Sequence, residues 1–471
     1  MQIIVDEKIK ITDPTPTIRD WCKQNLVIEN PEYFKKEKMG KWVGNTPKYI
    51  HLYEIIGNEW RLPFGCLHNI WKMCVRGVPW DVRITPIRAF EYDSHINLYP
   101  YQQKAVYEAI RRKNGVLVMP CGSGKTQCGL EIIAQIGGRA LWLTHTQDLL
   151  NQSRKRAEAV YGRTGCGTIT AGKVDIGEGI TFATVQTLAK IDITQYRDYW
   201  DVIIVDECQH CAGTPTRVTQ FYKVISGLCA RYKIGLTATP FRADGLELSM
   251  YALLGGIVHE VTREEVAHTT CPIKILQLDT NWYPADDVLG FDGIIDYSKV
   301  IDSLTHDEAR FYLVAGYVGG LDGPAIVLAN RVEYLQRMAA LVGTDTEDLY
   351  GIPQNDAKRV MCLSGMGQSK KAKAERKEAL RKLNEGELDV VFATYQLAKE
   401  GLDVPNLRYV VLATPEKDET TVIQSVGRVG RKADGKECGE VLDFVDSFGM
   451  YKRWAAKRRG YYRKIGAEVQ G

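Results

Sequence analysis

Short apolar segments alternate with longer amphipathic segments along most of the chain from about residue 96. In the first block the apolar segments lie at residues 115–119, 140–144, 179–183, 201–205 and 232–236. They are rich in Val, Ile and Leu over their whole length, the pattern of strands buried on both faces. Alternation of such strands with amphipathic helices predicts βαβ units and a parallel sheet.

The same alternation recurs in a second block, at residues 325–329, 359–362, 389–393, 409–412 and 440–444. A less regular stretch at about 255–305 separates the blocks, and we place the hinge near residue 270. The first 95 residues lack the alternation, although 47–53 is predicted to be a strand. We therefore predict an α/β protein with a small mixed α/β N-terminal accessory domain at 1–95, a first parallel-sheet domain at 96–270 and a second parallel-sheet domain at 271–471.

Composition narrows the class of protein. The 471 residues are 45% hydrophobic and 25% charged, which is typical of globular domains and excludes disorder, collagen and coiled coil for the whole chain. The formal net charge is only +3, so any nucleic acid must be bound by locally arranged basic residues. Scattered cysteines, no evident signal peptide and no long apolar run predict a soluble, cytoplasmic protein with reduced thiols and no membrane partner.

A glycine-rich segment, Met119-Pro-Cys-Gly-Ser-Gly-Lys-Thr126, lies between the strand at 115–119 and a helix predicted at about 125–134. Glycines allow successive backbone N–H groups to turn towards phosphate oxygens, and the helix N-terminus adds the positive end of its dipole. Lys125 is predicted to neutralise the β- and γ-phosphates, and Thr126 to ligate Mg²⁺. Although Met119 replaces the first glycine of the general motif, we predict a nucleoside-triphosphate site at Pro120, Cys121, Gly122, Ser123, Gly124, Lys125 and Thr126.

The segment at 202–210 supplies the groups that hydrolysis needs. Asp206 and Glu207 follow an apolar strand at its carboxyl end, where ligands bind in open α/β sheets. We predict that Asp206 holds Mg²⁺ and that Glu207 orients or deprotonates the attacking water. Cys208 and Cys211 could instead indicate zinc, but a single C-x-x-C lacks the second ligand pair of a structural zinc site.

Several segments, in the same order along the chain, resemble the motifs of the superfamily 2 helicases, which are motors with two RecA-like domains. The resemblance covers about residues 96–450 and rests, beside the two sites above, on residues 98–102, 143–152, 184–188, 235–240, 394–405 and 424–431. The continuation Phe241-Arg-Ala-Asp-Gly245 is similar to the branch with excision-repair helicases, phage recombination and repair helicases and restriction motor subunits. One departure is Gln209, which holds the fourth place of the DEAD or DEAH motif.

The resemblance implies further roles around the first domain. Gln102 is expected to recognise adenine, because an amide can meet the N6 donor and the N7 acceptor together. The segments at 143–152 and 184–188 are expected to contact the sugar–phosphate backbone of one strand, which positions the motor without reading sequence. The expected contact residues are Thr144, His145, Gln152, Thr184 and Gln186, with Thr394 from the second domain. Helix capping by Thr144 and Thr146 is the alternative.

In the second domain the resemblance implies two motifs, a nucleotide-binding motif at 394–405 and an arginine-containing motif at 424–431. Gly401 would allow close approach of the backbone, and Asp403 would hydrogen-bond a ribose or a neighbouring arginine. Gln424, Arg428 and Arg431 belong to the expected catalytic set. The two arginines are three residues apart, so on a helix they would share a face and could stabilise the transition-state phosphate charge.

Two stretches mix basic and aromatic residues. Residues 452–464 contain seven basic residues and no acid. They predict either a nucleic-acid contact, through phosphates and base stacking, or an amphipathic helix with Trp454 against the core. The first interpretation assigns Lys452, Arg453, Trp454, Arg458 and Tyr462 to nucleic acid. Residues 33–42 are similar in composition, and by position the N-terminal domain resembles an accessory domain that engages branched or damaged duplex, with a purely structural role as the alternative.

Taken together, the motifs predict an ATP- and Mg²⁺-dependent DNA helicase or translocase that remodels branched or duplex DNA in repair, recombination or replication. An RNA helicase, the motor subunit of a restriction or defence complex, and a remodeller that does not separate strands are the alternatives, because backbone contacts do not distinguish them. We expect a monomer that binds single-stranded or branched DNA, with replication, repair or nuclease proteins as further partners. Compactness and the resemblance suggest a phage-encoded protein in the host cytoplasm.

Overall fold

The structure, a computed structural model, describes most of the chain: residues 1–74, 77–120, 122–162, 165–170, 173–211, 219–240, 246–284, 288, 295–344, 346–347, 353–355, 357–363, 369–399 and 404–470. The chain divides into two compact units, Met1–Pro120 with Gly124–Thr262, and Cys121–Ser123 with Arg263–Gly471. The division after Thr262 lies close to the hinge predicted near residue 270. No helix in the described part of the chain is both long enough and apolar enough to span a bilayer.

The N-terminal part of the first unit is a mixed sheet with helices. Its elements are β1 Gln2–Val5, β2 Lys8–Thr12, α1 Pro16–Asn25, β3 Val27–Glu29, α2 Pro31–Lys38, β4 Tyr49–His51, β5 Glu54–Ile56, β6 Glu59–Pro63, α3 Leu67–Met73 and β7 Trp80–Val82. The sheet order is β5-β6-β2-β1-β7, antiparallel except for β1 with β7, and β3 pairs separately with β4. The alternation of buried residues along β1 and β2 places Ile3, Val5, Ile9 and Ile11 in the core.

The rest of the first unit is the predicted parallel sheet. Its elements are α4 Pro100–Arg112, β8 Asn114–Val118, α5 Lys125–Ile136, β9 Ala140–Thr144, α6 Gln147–Tyr161, β10 Cys166–Thr170, β11 Lys173–Asp175, β12 Ile180–Thr184, α7 Val185–Leu188, β13 Val202–Asp206, α8 Gln220–Gly227, β14 Tyr232–Thr237, α9 Glu247–Leu254 and β15 Ile257–Glu260. The strand order is β11-β10-β12-β9-β13-β14-β8-β15, and only β11 is antiparallel. All five predicted strands are present, so the carboxyl ends of β8, β9, β13 and β14 meet at one edge.

The N-terminal sheet shares a hydrophobic core with the first parallel sheet. Leu246 and Ala252, beside and within α9, belong to the same buried cluster as Ile3 and Ile9. The contact is close at Gly65, where a Cβ atom would lie 2.4–2.5 Å from backbone atoms of α9 and Gly255. Only glycine therefore fits there, and residues 1–95 pack as part of the first unit.

The second unit contains the second predicted parallel sheet. Its elements are α10 Arg263–Val266, β16 Ile273–Asp279, α11 Tyr297–His306, α12 Glu308–Gly319, β17 Ala325–Ala329, α13 Val332–Val342, β18 Thr346–Glu347, β19 Pro353–Asn355, β20 Val360–Cys362, α14 Lys370–Asn384, β21 Val390–Thr394, α15 Tyr395–Lys399, β22 Tyr409–Leu412, α16 Glu419–Val426, β23 Gly439–Val445, α17 Gly449–Lys464 and β24 Glu468–Gln470. The order β20-β21-β17-β22-β23-β16-β24 is parallel throughout. The predicted fold class, two parallel-sheet domains in tandem, is confirmed.

Candidate functional site

The glycine-rich segment joins the carboxyl end of β8 to the N-terminus of α5. Gly124 is the N-cap of α5 and has φ +83°, in the left-handed region that favours glycine. Lys125 is the first residue of the helix, and its Nζ lies 3.4 Å from the Met119 carbonyl oxygen. Thr126 follows on the first turn and is half-buried. A strand end, a left-handed glycine and a helix N-terminus form an anion-binding cradle, while Cys121 lies outside the described residues.

Gln102 is fixed against this cradle from α4. Its Oε1 accepts a hydrogen bond from the Tyr99 N–H at 2.9 Å, and its side chain is buried. A Cβ atom at Gly124 would lie 2.3 Å from Gln102 Nε2, so the amide and the glycine backbone are close neighbours. The structure thus brings Gln102 to the phosphate cradle, and its role in adenine recognition stays a prediction.

Asp206 and Glu207 lie at the carboxyl end of β13, which is flanked by β9 and β14. Burial and the neighbouring Glu207 carboxylate raise the pKa of Asp206 to about 7, against the opposing charge of Lys125. A buried carboxylate that is costly to ionise fits a bound divalent cation, which would stabilise the ionised form. The donor set of Asp206 and Thr126, both oxygen ligands, suits Mg²⁺.

Glu207 has a strained backbone. Its φ of +52° is unusual for a residue with a side chain, and such conformations occur at functional sites where the surrounding structure holds them. The Glu207 N–H donates to Asp206 Oδ1 at 3.1 Å, and the His210 N–H donates to the Glu207 carbonyl at 3.1 Å. A short 3-10 helix, Cys208–Cys211, begins directly after this residue.

A buried hydrogen-bond chain links Glu207 to the next strand. Gln209 Nε2 donates to Glu207 Oε2 at 2.7 Å, and the Thr237 hydroxyl donates to Gln209 Oε1 at 2.7 Å. The Thr237 Oγ1 accepts from the Thr239 N–H at 3.0 Å. Sequence analysis identified Gln209 only as a departure from DEAD and DEAH. The contact between Gln209 and Thr237 could have been inferred, because Gln209 follows the carboxyl end of β13 and Thr237 is the last residue of the adjacent strand, β14.

The two cysteines of the C-x-x-C pair lie in the core. Cys208 and Cys211 are buried in the same hydrophobic cluster as Val205 and Leu254. Burial and the neighbouring acids raise the pKa of the Cys208 thiol well above its ordinary value. Zinc binds the thiolate, so this environment is unfavourable for a zinc ligand.

The predicted strand-contacting residues of the first unit differ in accessibility. Thr144 is fully buried and its hydroxyl donates to the Thr146 carbonyl at 3.0 Å, while Thr184 is buried with its hydroxyl 2.9 Å from Thr187 Oγ1. Both hydroxyls are engaged in these local hydrogen bonds, and the contact of Thr144 and Thr184 with nucleic acid stays a prediction. His145, Gln152 and Gln186 remain at least partly exposed and stay predicted contacts.

The prediction that Arg428 and Arg431 lie on a helix is wrong, because α16 of the second unit ends at Val426, before both residues. Arg428 lies in the following turn and its Nη2 donates to the carbonyl of Ala398 on α15. Arg431 forms an isolated antiparallel bridge with Thr270. Thr394 Oγ1 accepts from the Leu397 N–H at 3.3 Å and so caps α15, close in the chain to Gly401 and Asp403, which lie outside the described residues.

Gln424 is half-buried on α16, the helix that precedes these arginines. The structure thus brings the arginine segment, through Arg428 and Ala398, to the helix that follows Thr394. The catalytic roles of Gln424, Arg428 and Arg431 stay predictions.

The basic C-terminal segment forms α17, whose buried stripe contains Tyr451, Ala455, Arg458 and Tyr462. Arg458 and Tyr462 both hydrogen-bond the Asp443 carboxylate, at 2.6 and 2.8 Å. The prediction that Arg458 and Tyr462 bind nucleic acid is therefore wrong, since both are buried in this network. Trp454 is half-buried, with Lys417 Nζ 5.1 Å from its ring, which matches the amphipathic-helix interpretation. Lys452 and Arg453 are exposed and stay predicted contacts.

Comparison with known proteins adds to this geometry. The family described as "Type III restriction enzyme, res subunit" matches residues 95–242, and the "Helicase conserved C-terminal domain" matches residues 320–433. Residues Gln102 to Asp206 fall within the first match, and Gln424 to Arg431 within the second.

Three curated relatives illustrate the range of similar proteins. "Putative ATP-dependent RNA helicase L396" of Acanthamoeba polyphaga mimivirus is 26% identical over 82% of this chain and 71% of its own. "DNA 3'-5' translocase XPB2" of Sulfurisphaera tokodaii is 27% identical over 72% of this chain and 80% of its own. "ATP-dependent DNA helicase uvsW" of Enterobacteria phage T4 is 22% identical over 94% of this chain and 91% of its own.

Proposed function

This chain belongs to the superfamily 2 helicases, which hydrolyse ATP, and we propose that it is a DNA helicase or translocase that remodels branched or duplex DNA in repair, recombination or replication. The observation that carries the choice of DNA is the similarity to uvsW, which extends over 94% of this chain and 91% of the relative. That length includes the N-terminal sheet as well as both parallel-sheet units. The name of the XPB2 relative, a DNA 3'-5' translocase, supports the same choice and a 3′ to 5′ direction.

Residues at the carboxyl edge of the first parallel sheet would account for the use of ATP. The backbone at Gly122 to Gly124 and the N-terminus of α5 are suited to bind phosphate oxygens, and Lys125 to neutralise their charge. Thr126 and Asp206 would hold Mg²⁺, which neutralises phosphate charge when it is bound. Glu207, held at φ +52° and hydrogen-bonded to Gln209, is suited to orient the attacking water.

The second unit contributes the arginine motif. We propose that Arg428 and Arg431 stabilise the charge of the transition-state phosphoryl group, an effect of roughly 10³- to 10⁵-fold in rate for arginine fingers generally. Hydrolysis removes the phosphate that these arginines recognise. Cycles of ATP binding and hydrolysis would then alternate the grip of the two units on one strand, which moves the protein along it.

We further propose that the N-terminal part of the first unit carries a second nucleic-acid contact. It is the segment at residues 35–49, from the last turn of α2 to the first residue of β4, here named the α2–β4 loop. It contains five lysines and one glutamate. Trp42 is 88% exposed and Tyr49 is 47% exposed. Lys48 Nζ lies 5.9 Å from the Tyr49 ring. Exposed rings with surrounding cations are the combination that binds unpaired bases and phosphates.

Two alternatives are supported by specific comparisons. The mimivirus relative is named an RNA helicase, and the first family model is named for a restriction enzyme subunit. An RNA helicase would be stimulated selectively by RNA through contacts to the 2′-hydroxyl. A restriction-type motor would hydrolyse ATP on duplex DNA without separating its strands.

The test is the rate of ATP hydrolysis without nucleic acid and with single-stranded DNA, duplex, forked DNA and RNA, followed by strand displacement on the fork. We expect the largest stimulation on forked DNA, little on RNA, and loss of hydrolysis in Lys125→Ala. The matched control is Lys377→Ala, an exposed lysine of α14, which should behave as wild type. Stimulation by RNA alone, or hydrolysis on duplex without displacement, would contradict the proposal in favour of the corresponding alternative.

A further inference from the structure

Two histidine rings meet beside the hydrolysis site of the first unit. The centroids of the His145 and His210 rings are 4.2 Å apart, with an interplanar angle of 38°. His145 directly follows β9 and Thr144, whereas His210 lies in the 3-10 helix that follows Glu207. The pair therefore joins two loops at the carboxyl edge of the sheet that are distant in sequence.

On one side of the pair, His145 belongs to the predicted strand-contacting surface. Gln186 Nε2 donates to the His145 carbonyl at 2.8 Å, so the loop after β9 is tied to the segment after β12. In contrast to the His145 carbonyl, the ring nitrogen Nδ1 of His145 is buried and makes no hydrogen bond to any residue that the structure describes. Burial lowers the pKa of His145, which favours the neutral ring and packing against His210.

On the other side, His210 is coupled to the backbone of Glu207. The His210 N–H donates to the Glu207 carbonyl at 3.1 Å and closes the short turn between them. Glu207 has φ +52° within this turn, and its carboxylate accepts a hydrogen bond from Gln209 Nε2. The His210 ring projects from this turn, so its packing against His145 restrains the turn that carries the Glu207 carboxylate.

We propose that the His145–His210 stack is a positioning contact through which a nucleic-acid strand at His145 and Gln186 sets the orientation of Glu207 and so stimulates ATP hydrolysis. The inference rests on the proposed function, since it requires a nucleic-acid-stimulated ATPase. His210 is a positioning residue, because it touches neither nucleotide nor water in this scheme. The stack adds a route separate from the Glu207–Gln209–Thr237 chain, which reaches β14 instead.

The experiment compares His210→Ala and His210→Phe in the full chain. For each we measure kcat and the KM for ATP with and without single-stranded DNA, with RNA in parallel. We expect His210→Ala to lower the ratio of stimulated to unstimulated kcat roughly tenfold, in the range of ordinary coupling between two sites, with little change in KM for ATP. His210→Phe keeps an aromatic face for His145 and should restore most of the ratio.

The matched control is His68→Ala, which removes another histidine that stacks on an aromatic ring, Trp71, in the N-terminal sheet. A His145→Ala, His210→Ala double variant should lose no more stimulation than the stronger single variant, because both remove the same contact. An unchanged ratio in His210→Ala, or no recovery in His210→Phe, would overturn the inference while the proposed function stands. Wild-type protein that neither DNA nor RNA stimulates would overturn both.

Discussion

Two stretches of this chain mix cations with aromatic rings, and the structure treats them in opposite ways. In α17, the side chains of Arg458 and Tyr462 turn inward and hydrogen-bond the buried Asp443 carboxylate. In the α2–β4 loop, Trp42 is 88% exposed and the lysines around it face solvent. The same composition thus packs into the interior of the second unit in α17 and is exposed to solvent on the first unit in the α2–β4 loop.

Spacing along the chain explains the difference better than composition. The buried residues of α17 recur at intervals of three and four, at Tyr451, Ala455, Arg458 and Tyr462, which is one face of a helix. The α2–β4 loop has no such stripe, because α2 ends at Lys38 before the aromatic residue at 42. A stretch of basic and aromatic residues whose spacing fits one face of a helix should therefore first be tested as a face that packs against the core. A stretch without that spacing should first be tested as a binding surface.

The largest effect expected from this comparison is on stability. Arg458→Ala would leave the Asp443 carboxylate buried without its cation, and breaking a buried pair in this way costs about 3–5 kcal/mol of unfolding free energy. Urea unfolding measures the loss. The control, Arg453→Ala, removes an exposed arginine of the same helix and should change the free energy of unfolding by at most about 0.5 kcal/mol. If the two variants lower the free energy of unfolding equally, the distinction between a buried and an exposed face of α17 is wrong.

The next effect is on binding by the α2–β4 loop. Trp42→Ala should weaken binding of single-stranded DNA by about 1–3 kcal/mol, the range for loss of one base-stacking ring, with unfolding unchanged. Fluorescence anisotropy with a labelled oligonucleotide measures the affinity. Trp71→Ala is the matched control, since the Trp71 ring is 64% exposed and lies on α3, a helix of the same N-terminal part of the first unit but outside the loop. If both tryptophan variants bind like the wild type, the loop is not a binding surface.

The sequence alone predicted the strands and located the motif segments because their signals are local. A parallel strand buried on both faces is apolar over its whole length, as at Ala140–Thr144 and Ala325–Ala329, and both strands have the predicted bounds. Asp443 shows the limit of this reasoning. Its partners Gln277 and Arg458 are brought to it by parallel pairing of β16 with β23 and by the packing of α17, which no local pattern encodes.

The candidate site shows the same limit. Lys125 and Asp206 were assigned from motifs, whereas the Gln209–Thr237 bond and the His145–His210 stack depend on which strands are neighbours in the sheet. The helix predicted under Arg428 and Arg431 ends earlier, at Val426, because a tight turn follows. Such three-dimensional contacts need the strand order, which the alternation of strands and helices does not give.

The smallest effect separates charge from stacking on the exposed side of α17. Lys452 and Arg453 are exposed, and no aromatic ring beside them is as exposed as Trp42. If they contact phosphates, the double variant Lys452→Ala, Arg453→Ala should lower the slope of log affinity against log salt by about 0.7 per cation for single strands. The affinity should fall at low salt and change little at about 1 M salt, where the contribution of phosphate contacts vanishes. Trp42→Ala should instead lower the affinity at every salt concentration without changing the slope. An unchanged slope in the double variant would mean that α17 serves the interior of the second unit alone.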